Sequence, residues 1–190
     1  MLIKVEIQGV SPLLCNRFTE LAQEKSGSGT SAVHGGKKAA PREQAQPKLY
    51  LDSNGNPVLP GPNLFRAIVD AGTFIKSGKS KVTTMRSSLV PAGVALVELE
   101  LPIAPAKWEV DSRAVVIPAT GGRIMCHRPR FDQWGVKFTL DVDQTLFSDT
   151  LVRELLDLAG QRIGIGDFRP ARKGPFGRFK VTSWKLDKKS

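Results

Sequence analysis

Cysteine and histidine are scarce in this chain, with two of each among 190 residues. Cys15 and Cys126 are far apart and form no Cys-x-x-Cys pair, which argues against a disulfide framework and fits a reducing cytosol. His34 and His127 lack metal-ligand spacing, and no His-Glu-x-x-His run occurs. The phosphate-loop signature of nucleotide hydrolases is also missing. No apolar run is long enough to span a bilayer. The opening residues, Met1-Leu2-Ile3-Lys4-Val5-Glu6-Ile7, alternate as a strand does and do not resemble a signal peptide. Acidic residues are in deficit, 18 against 28 Lys and Arg, so the formal net charge is +10. These absences predict a cytoplasmic protein with no cofactor, metal or membrane contact. Its charge favours a phosphate-bearing partner.

One segment stands out: Gly164-Ile165-Gly166-Asp167-Phe168-Arg169-Pro170-Ala171-Arg172-Lys173-Gly174-Pro175-Phe176-Gly177-Arg178-Phe179. Its glycines let the backbone approach a ligand closely. Arg169, Arg172, Lys173 and Arg178 supply cations, and Phe168, Phe176 and Phe179 supply flat faces. A glycine-rich, basic, aromatic loop suits RNA or single-stranded DNA. A second candidate lies in 121–130, where Arg123, His127, Arg128 and Arg130 sit on one strand and its mouth. Arginine there matches phosphate oxygens and stacks on bases. Asp141 and Asp143 read as solvated.

Alternation predicts strands over 2–8, 94–103, 114–117, 123–130, 136–142 and 179–186. Helical spacing predicts a first helix around Leu64, Ala67, Ile68 and Ala71, with Asn63 as its cap, and a second over 148–159 capped by Ser148 or Asp149. Asn54-Gly55 signals a small ribbon between 48–51 and 57–59. Residues 20–47 are rich in Gly, Ser, Ala, Gln and Lys and nearly empty of large apolar residues, so a mobile insertion is expected there. Ser77 to Ser88 reads as a polar, basic loop. The expected fold is α+β: one domain, 1–190, with a ferredoxin-like, RRM-like βαββαβ core and an antiparallel sheet. The long insertion follows the first strand and the glycine-rich loop precedes the last. The open sheet face is the expected RNA platform.

Three features resemble the RAMP superfamily of CRISPR-associated proteins, and its Cas7-like backbone subunits in particular. They are the strand followed by Gly9-Val10-Ser11-Pro12-Leu13-Leu14, the segment Leu59-Pro60-Gly61-Pro62-Asn63-Leu64-Phe65-Arg66-Ala67, and the glycine-rich loop before the last strand. The resemblance implies a non-catalytic subunit that oligomerises along a guide RNA in a ribonucleoprotein effector of antiviral defence. Its partners would be the guide RNA and its complementary target strand, copies of itself and other effector subunits. Residues 19–59 would form a thumb-like element reaching the neighbouring subunit. The chain is shorter than known backbone subunits, as a compact phage or mobile-element relative would be. Some relatives cut target RNA with an aspartate in an early loop. Residues 20–48 contain no aspartate, so that activity is not carried over. The RNA-contacting set expected is Arg17, Lys37, Lys38, Arg66, Lys79 and Lys81, with the strand residues Arg123, His127, Arg128 and Arg130, and with Phe168, Arg169, Arg172, Lys173, Phe176 and Arg178 of the glycine loop. The alternatives are a Cas6-type endoribonuclease, for which His34 or His127 would serve as acid or base, and a viral mimic that binds effector proteins.

Overall fold

Residues 1–18, 39–116 and 121–187 are described by the computed structural model. Their elements run β1 (Leu2–Gly9), β2 (Leu13–Leu14), α1 (Pro41–Ala45), β3 (Val58–Pro60), α2 (Gly61–Ala71), β4 (Lys76–Ser77), β5 (Ser80–Lys81), α3 (Val90–Gly93), β6 (Val94–Leu96), β7 (Glu100–Pro102), β8 (Glu109–Val116), β9 (Arg123–Phe131), β10 (Gly135–Val142), α4 (Asp149–Leu158) and β11 (Phe179–Asp187).

Period-two burial builds the main sheet. β1 buries Ile3, Val5 and Ile7, and β10 buries Val136, Phe138, Leu140 and Val142. The sheet order is β11-β1-β10-β6, and each neighbouring pair is antiparallel. Counting these as four core strands, the spatial order is fourth, first, third, second. α2 and α4 make the two connections, so the chain is an α+β fold on the ferredoxin-like plan. The helices bury Leu64, Ala67, Ile68 and Ala71, and Val152, Leu155 and Leu156, against the sheet in one continuous core. Those spacings place each set on one helix face. Ser148 caps α4, its Oγ accepting from the Leu151 amide at 3.2 Å.

Four expectations change. The run 94–103 is not one strand. β6 ends at Leu96 in the main sheet, and β7 pairs instead with β3. The Glu98 carboxylate accepts from the Thr139 amide at 2.7 Å and its hydroxyl at 2.8 Å, taking the place of the next ladder bond. Asn63 does not cap α2. The helix begins three residues earlier, at Gly61, with Pro60 at the cap position and Pro62 in the first turn, where a missing amide costs nothing. The short strand expected at 114–117 is the eight-residue β8, paired along its length with β9 from Glu109↔Arg130 to Val116↔Arg123. The insertion expected over 20–47 contains α1 and a 3-10 turn, Gln46–Lys48, within its described part. Ala45 is buried there, the Ala40 amide donates to Glu43 Oε2, and the Arg42 guanidinium lies 4.1 Å over the Trp108 ring. Residues 19–38 of the expected thumb, with His34, Lys37 and Lys38, lie outside the described residues.

The open sheet face is not a stacking platform. Lys4, Glu6, Lys137, Lys185 and Asp187 point there by alternation and pairing, and the described strands turn no aromatic ring to it. Lys137 pairs with Glu6 at 2.9 Å and Lys4 with Asp187 at 3.1 Å. Trp184 lies opposite Val5, on the core side.

Candidate nucleic-acid interface

The glycine-rich loop leaves α4 through a π-helical turn, Ala159–Ile163, and is pinned backbone to backbone. The Ile165 amide donates to Gly177 O (2.9 Å), the Asp167 amide to Leu14 O (2.9 Å), and the Gly177 amide to Pro12 O (2.8 Å). The Arg178 amide donates to Ser11 Oγ at 3.0 Å. Gly166 and Gly177 have φ of +78° and +70°. A Cβ on Gly166 would lie 2.5 Å from Leu14 O, and one on Gly177 would overlap Ile165 O. Only glycine satisfies both the dihedral and the close approach. The loop is therefore a rigid saddle on residues 10–14.

Beside it is a cleft of about 270 Å³. It is lined by Leu13 to Asn16, by Leu59, Asn63 and Arg66 at the start of α2, and by Ile165 to Asp167 and Arg169 of the glycine loop. The three segments that resemble the RAMP proteins thus meet at one opening, although they are far apart in sequence. Arg66, from α2, and Arg169, from the glycine loop, both line it, as does the Asp167 carboxylate. Arg66 Nε pairs with Asp70 at 2.8 Å and Arg169 Nη1 donates to Gly166 O at 3.1 Å, which holds both side chains in place. Tyr50 and Asn63 both line the rim. Burial, and then the nearby Cys15, raise the Tyr50 pKa against the opposing pull of the Asn63 side chain. Such an opening offers fixed donors and cations to a phosphate or a base edge. Asn16, Tyr50 and Asn63 were not among the expected contacts. Their signal in the sequence is slight: Tyr50 is the only tyrosine.

The expected residues divide sharply. Arg172, Lys173 and Arg178 are exposed around the glycine loop, with no ion pair among the described residues. Phe168 is 38% exposed and has φ +48°. Phe176 is buried, its ring centroid 6.1 Å from that of Phe168, with the Arg113 guanidinium 4.7 Å away on it. Phe179 packs edge-on against Trp134 in the core. Of the three rings, only Phe168 presents a face.

The arginine-rich strand is reassigned in part. Arg128 is 5% exposed, with Nη1 2.8 Å from Asp167 Oδ2 and Nη2 3.0 Å from Asp111 Oδ2. Burial opposes its charge, but the bonds to Asp167 and Asp111 outweigh burial and raise its pKa. Arg128 is thus a buried tie between the β8–β9 ribbon and the glycine loop, committed to carboxylates rather than phosphate. Arg130 pairs with Asp132 at 2.8 Å, and His127 Nδ1 shares a hydrogen with Ser112 Oγ at 2.7 Å. Alternation puts Arg128 and Arg130 on one face of β9 and Arg123 and His127 on the other, so the four make no single basic surface. Arg17 is exposed beside the cleft wall, while Lys79 and Lys81 lie beyond the far end of α2.

Fold and site together define a ferredoxin-like α+β domain that carries a polar cleft, with Arg66, Arg169 and Asp167 in its lining, beside a glycine loop. No family model and no curated protein matches the chain. Among solved structures it is similar to a chain of the type III-B Cmr-beta structure bound to cognate target RNA, determined by cryo-EM. The likeness has 12% identity and a TM-score of 0.54, and covers 97% of this chain and 59% of that one. It is a likeness of fold, and this chain spans about three-fifths of that neighbour's length. Among the described residues, no helix is long and apolar enough to cross a membrane.

Proposed function

We propose that the chain is a non-catalytic RNA-binding subunit that lines up with copies of itself along a guide RNA in a CRISPR-type effector complex. The supporting observation is the convergence of residues 9–16, the start of α2 and the glycine loop on a cleft with Arg66 and Arg169 on its walls. Exposed Arg172, Lys173 and Arg178 add cations around the glycine loop. Charge supplies most of the affinity and little sequence preference. The fold it shares with a chain of an RNA-bound Cmr complex supports the same reading.

Binding of single-stranded RNA to wild type, Arg169→Ala and Arg178→Ala tests it. Each lost charge-assisted bond is worth about 1.5–3 kcal/mol, or roughly 10- to 100-fold in Kd, with the melting temperature nearly unchanged. Affinity that ignores salt, or binding that survives both substitutions, refutes the reading. Size-exclusion chromatography with RNA of graded length tests assembly: complexes should grow stepwise with RNA length. An RNA cleavage assay without added metal separates this role from an endoribonuclease that would rely on His127 and its Ser112 partner. The sequence of any co-purified RNA identifies the ligand.

A further inference from the structure

Beyond α2 the chain turns uniformly basic. Residues 71–97 contain Lys76, Lys79, Lys81 and Arg86 and no acidic residue. β4 and β5 fold these lysines into a small hairpin, with Lys76 opposite Lys81 and Lys79 in the turn. The hairpin is tied to the helix end: the Val82 amide donates to Ile75 O at 3.0 Å, the Thr83 amide to Gly72 O at 3.1 Å, and Thr83 Oγ1 to Val69 O at 2.7 Å. The three lysines and Arg86 are exposed, and none has an ion pair among the described residues. Next to them Phe74 is 47% exposed, and the Arg162 guanidinium lies 4.8 Å from its ring centre. Arg162 belongs to the π-helical turn that leads into the glycine loop. The hairpin and the cleft lie at opposite ends of α2, an eleven-residue helix about 16 Å long at ~1.5 Å per residue.

We propose that this hairpin is a second backbone-binding site, which takes the same single strand after it leaves the cleft. The inference rests on the RNA-binding reading above. Exposed lysines with no ion pair among the described residues, on a hairpin whose backbone is tied to α2 and beside an exposed ring with an arginine on it, suit phosphates flanking a stacked base. A lipid surface would also take basic side chains around an aromatic ring; the single strand is favoured because the hairpin sits at the far end of the helix whose first turns line the cleft. Two sites on one strand turn the second contact into an intramolecular one. Long oligonucleotides therefore bind with a steeper salt dependence than short ones.

The test uses full-length protein, wild type and Lys76→Gln/Lys79→Gln/Lys81→Gln, with single-stranded RNA of about 4 and about 16 nucleotides. Removing three phosphate contacts lowers the salt slope of the long RNA by about 2. Between roughly 50 and 200 mM salt, wild type then loses about 20-fold more affinity than the variant. The short RNA, held at the cleft, keeps its affinity in the variant and loses it in Arg169→Ala. An unchanged slope for the long RNA overturns the second site, as does equal weakening of both lengths, or anionic vesicles binding through these lysines while RNA does not. If Arg169→Ala also binds both RNAs as wild type does, the failure belongs to the RNA-binding reading itself.

Discussion

Arg128→Ala separates a structural arginine from a ligand-binding one. The side chain is 5% exposed and joins Asp111 of β8 to Asp167 of the glycine loop. Truncation strands neither carboxylate completely. Asp111, 3% exposed, keeps Arg113 Nε at 2.8 Å, and Asp167, 33% exposed, keeps Asn16 Nδ2 at 3.2 Å and some water. The cost therefore falls at the lower end of the range for breaking a buried pair, about 3 kcal/mol. For a chain of this size that is a fall of roughly 6–12 °C in Tm. Equilibrium urea unfolding should show a lower midpoint with unchanged slope. Arg128→Lys should recover only part of the loss, because one ammonium cannot present a planar fork to two carboxylates on different elements. Amides of the glycine loop should exchange faster in Arg128→Ala, since the loop loses its tie to the ribbon. A loss below about 1 kcal/mol, the usual worth of an exposed pair, would refute the reasoning.

Gly177→Ala should destabilise by at least ~1–3 kcal/mol, the cost of a strained left-handed residue, and should weaken RNA binding with it; unchanged stability in a melting experiment means that the loop is not held as described. Burial, reinforced by the Asp167 charge, pushes the Cys15 thiol from 9.0 up to about 12. Its folded pKa is raised, so its contribution to stability is complete below the unfolded value and is lost as pH rises toward 12. In a labelling experiment near neutral pH, half-buried Cys126 should react first and Cys15 only on unfolding; equal rates contradict this. The Asp52 carboxyl is held below the ordinary aspartate range by the Asn56 amide and side chain, with help from Asn54 and Gly55. By NMR it should titrate below free aspartate, and its contribution to the 52–56 turn should be present near neutral pH and vanish as pH falls through that lowered value. An unshifted midpoint refutes the turn geometry.

Periodicity determined most of the core. The two-residue alternation of β1, β10 and β11 and the 3.6-residue spacing of α2 and α4 are local signals, and each says which face is buried. The order of those elements implied the ferredoxin-like plan, and the glycine loop was legible from composition. Periodicity does not say which partner a face meets. It could not tell that Glu98 would replace a ladder bond and send 100–102 to another sheet. It marked Arg128 as a free cation because Asp167 is 39 residues away, and it marked Phe176 and Phe179 as available rings although both pack inward. It could not show that the open sheet face carries paired charges and no ring. Only the tertiary structure brought Leu13, Asn63 and Arg169 to one cleft, because long-range backbone bonds and buried ion pairs, not local preference, decide which loops touch.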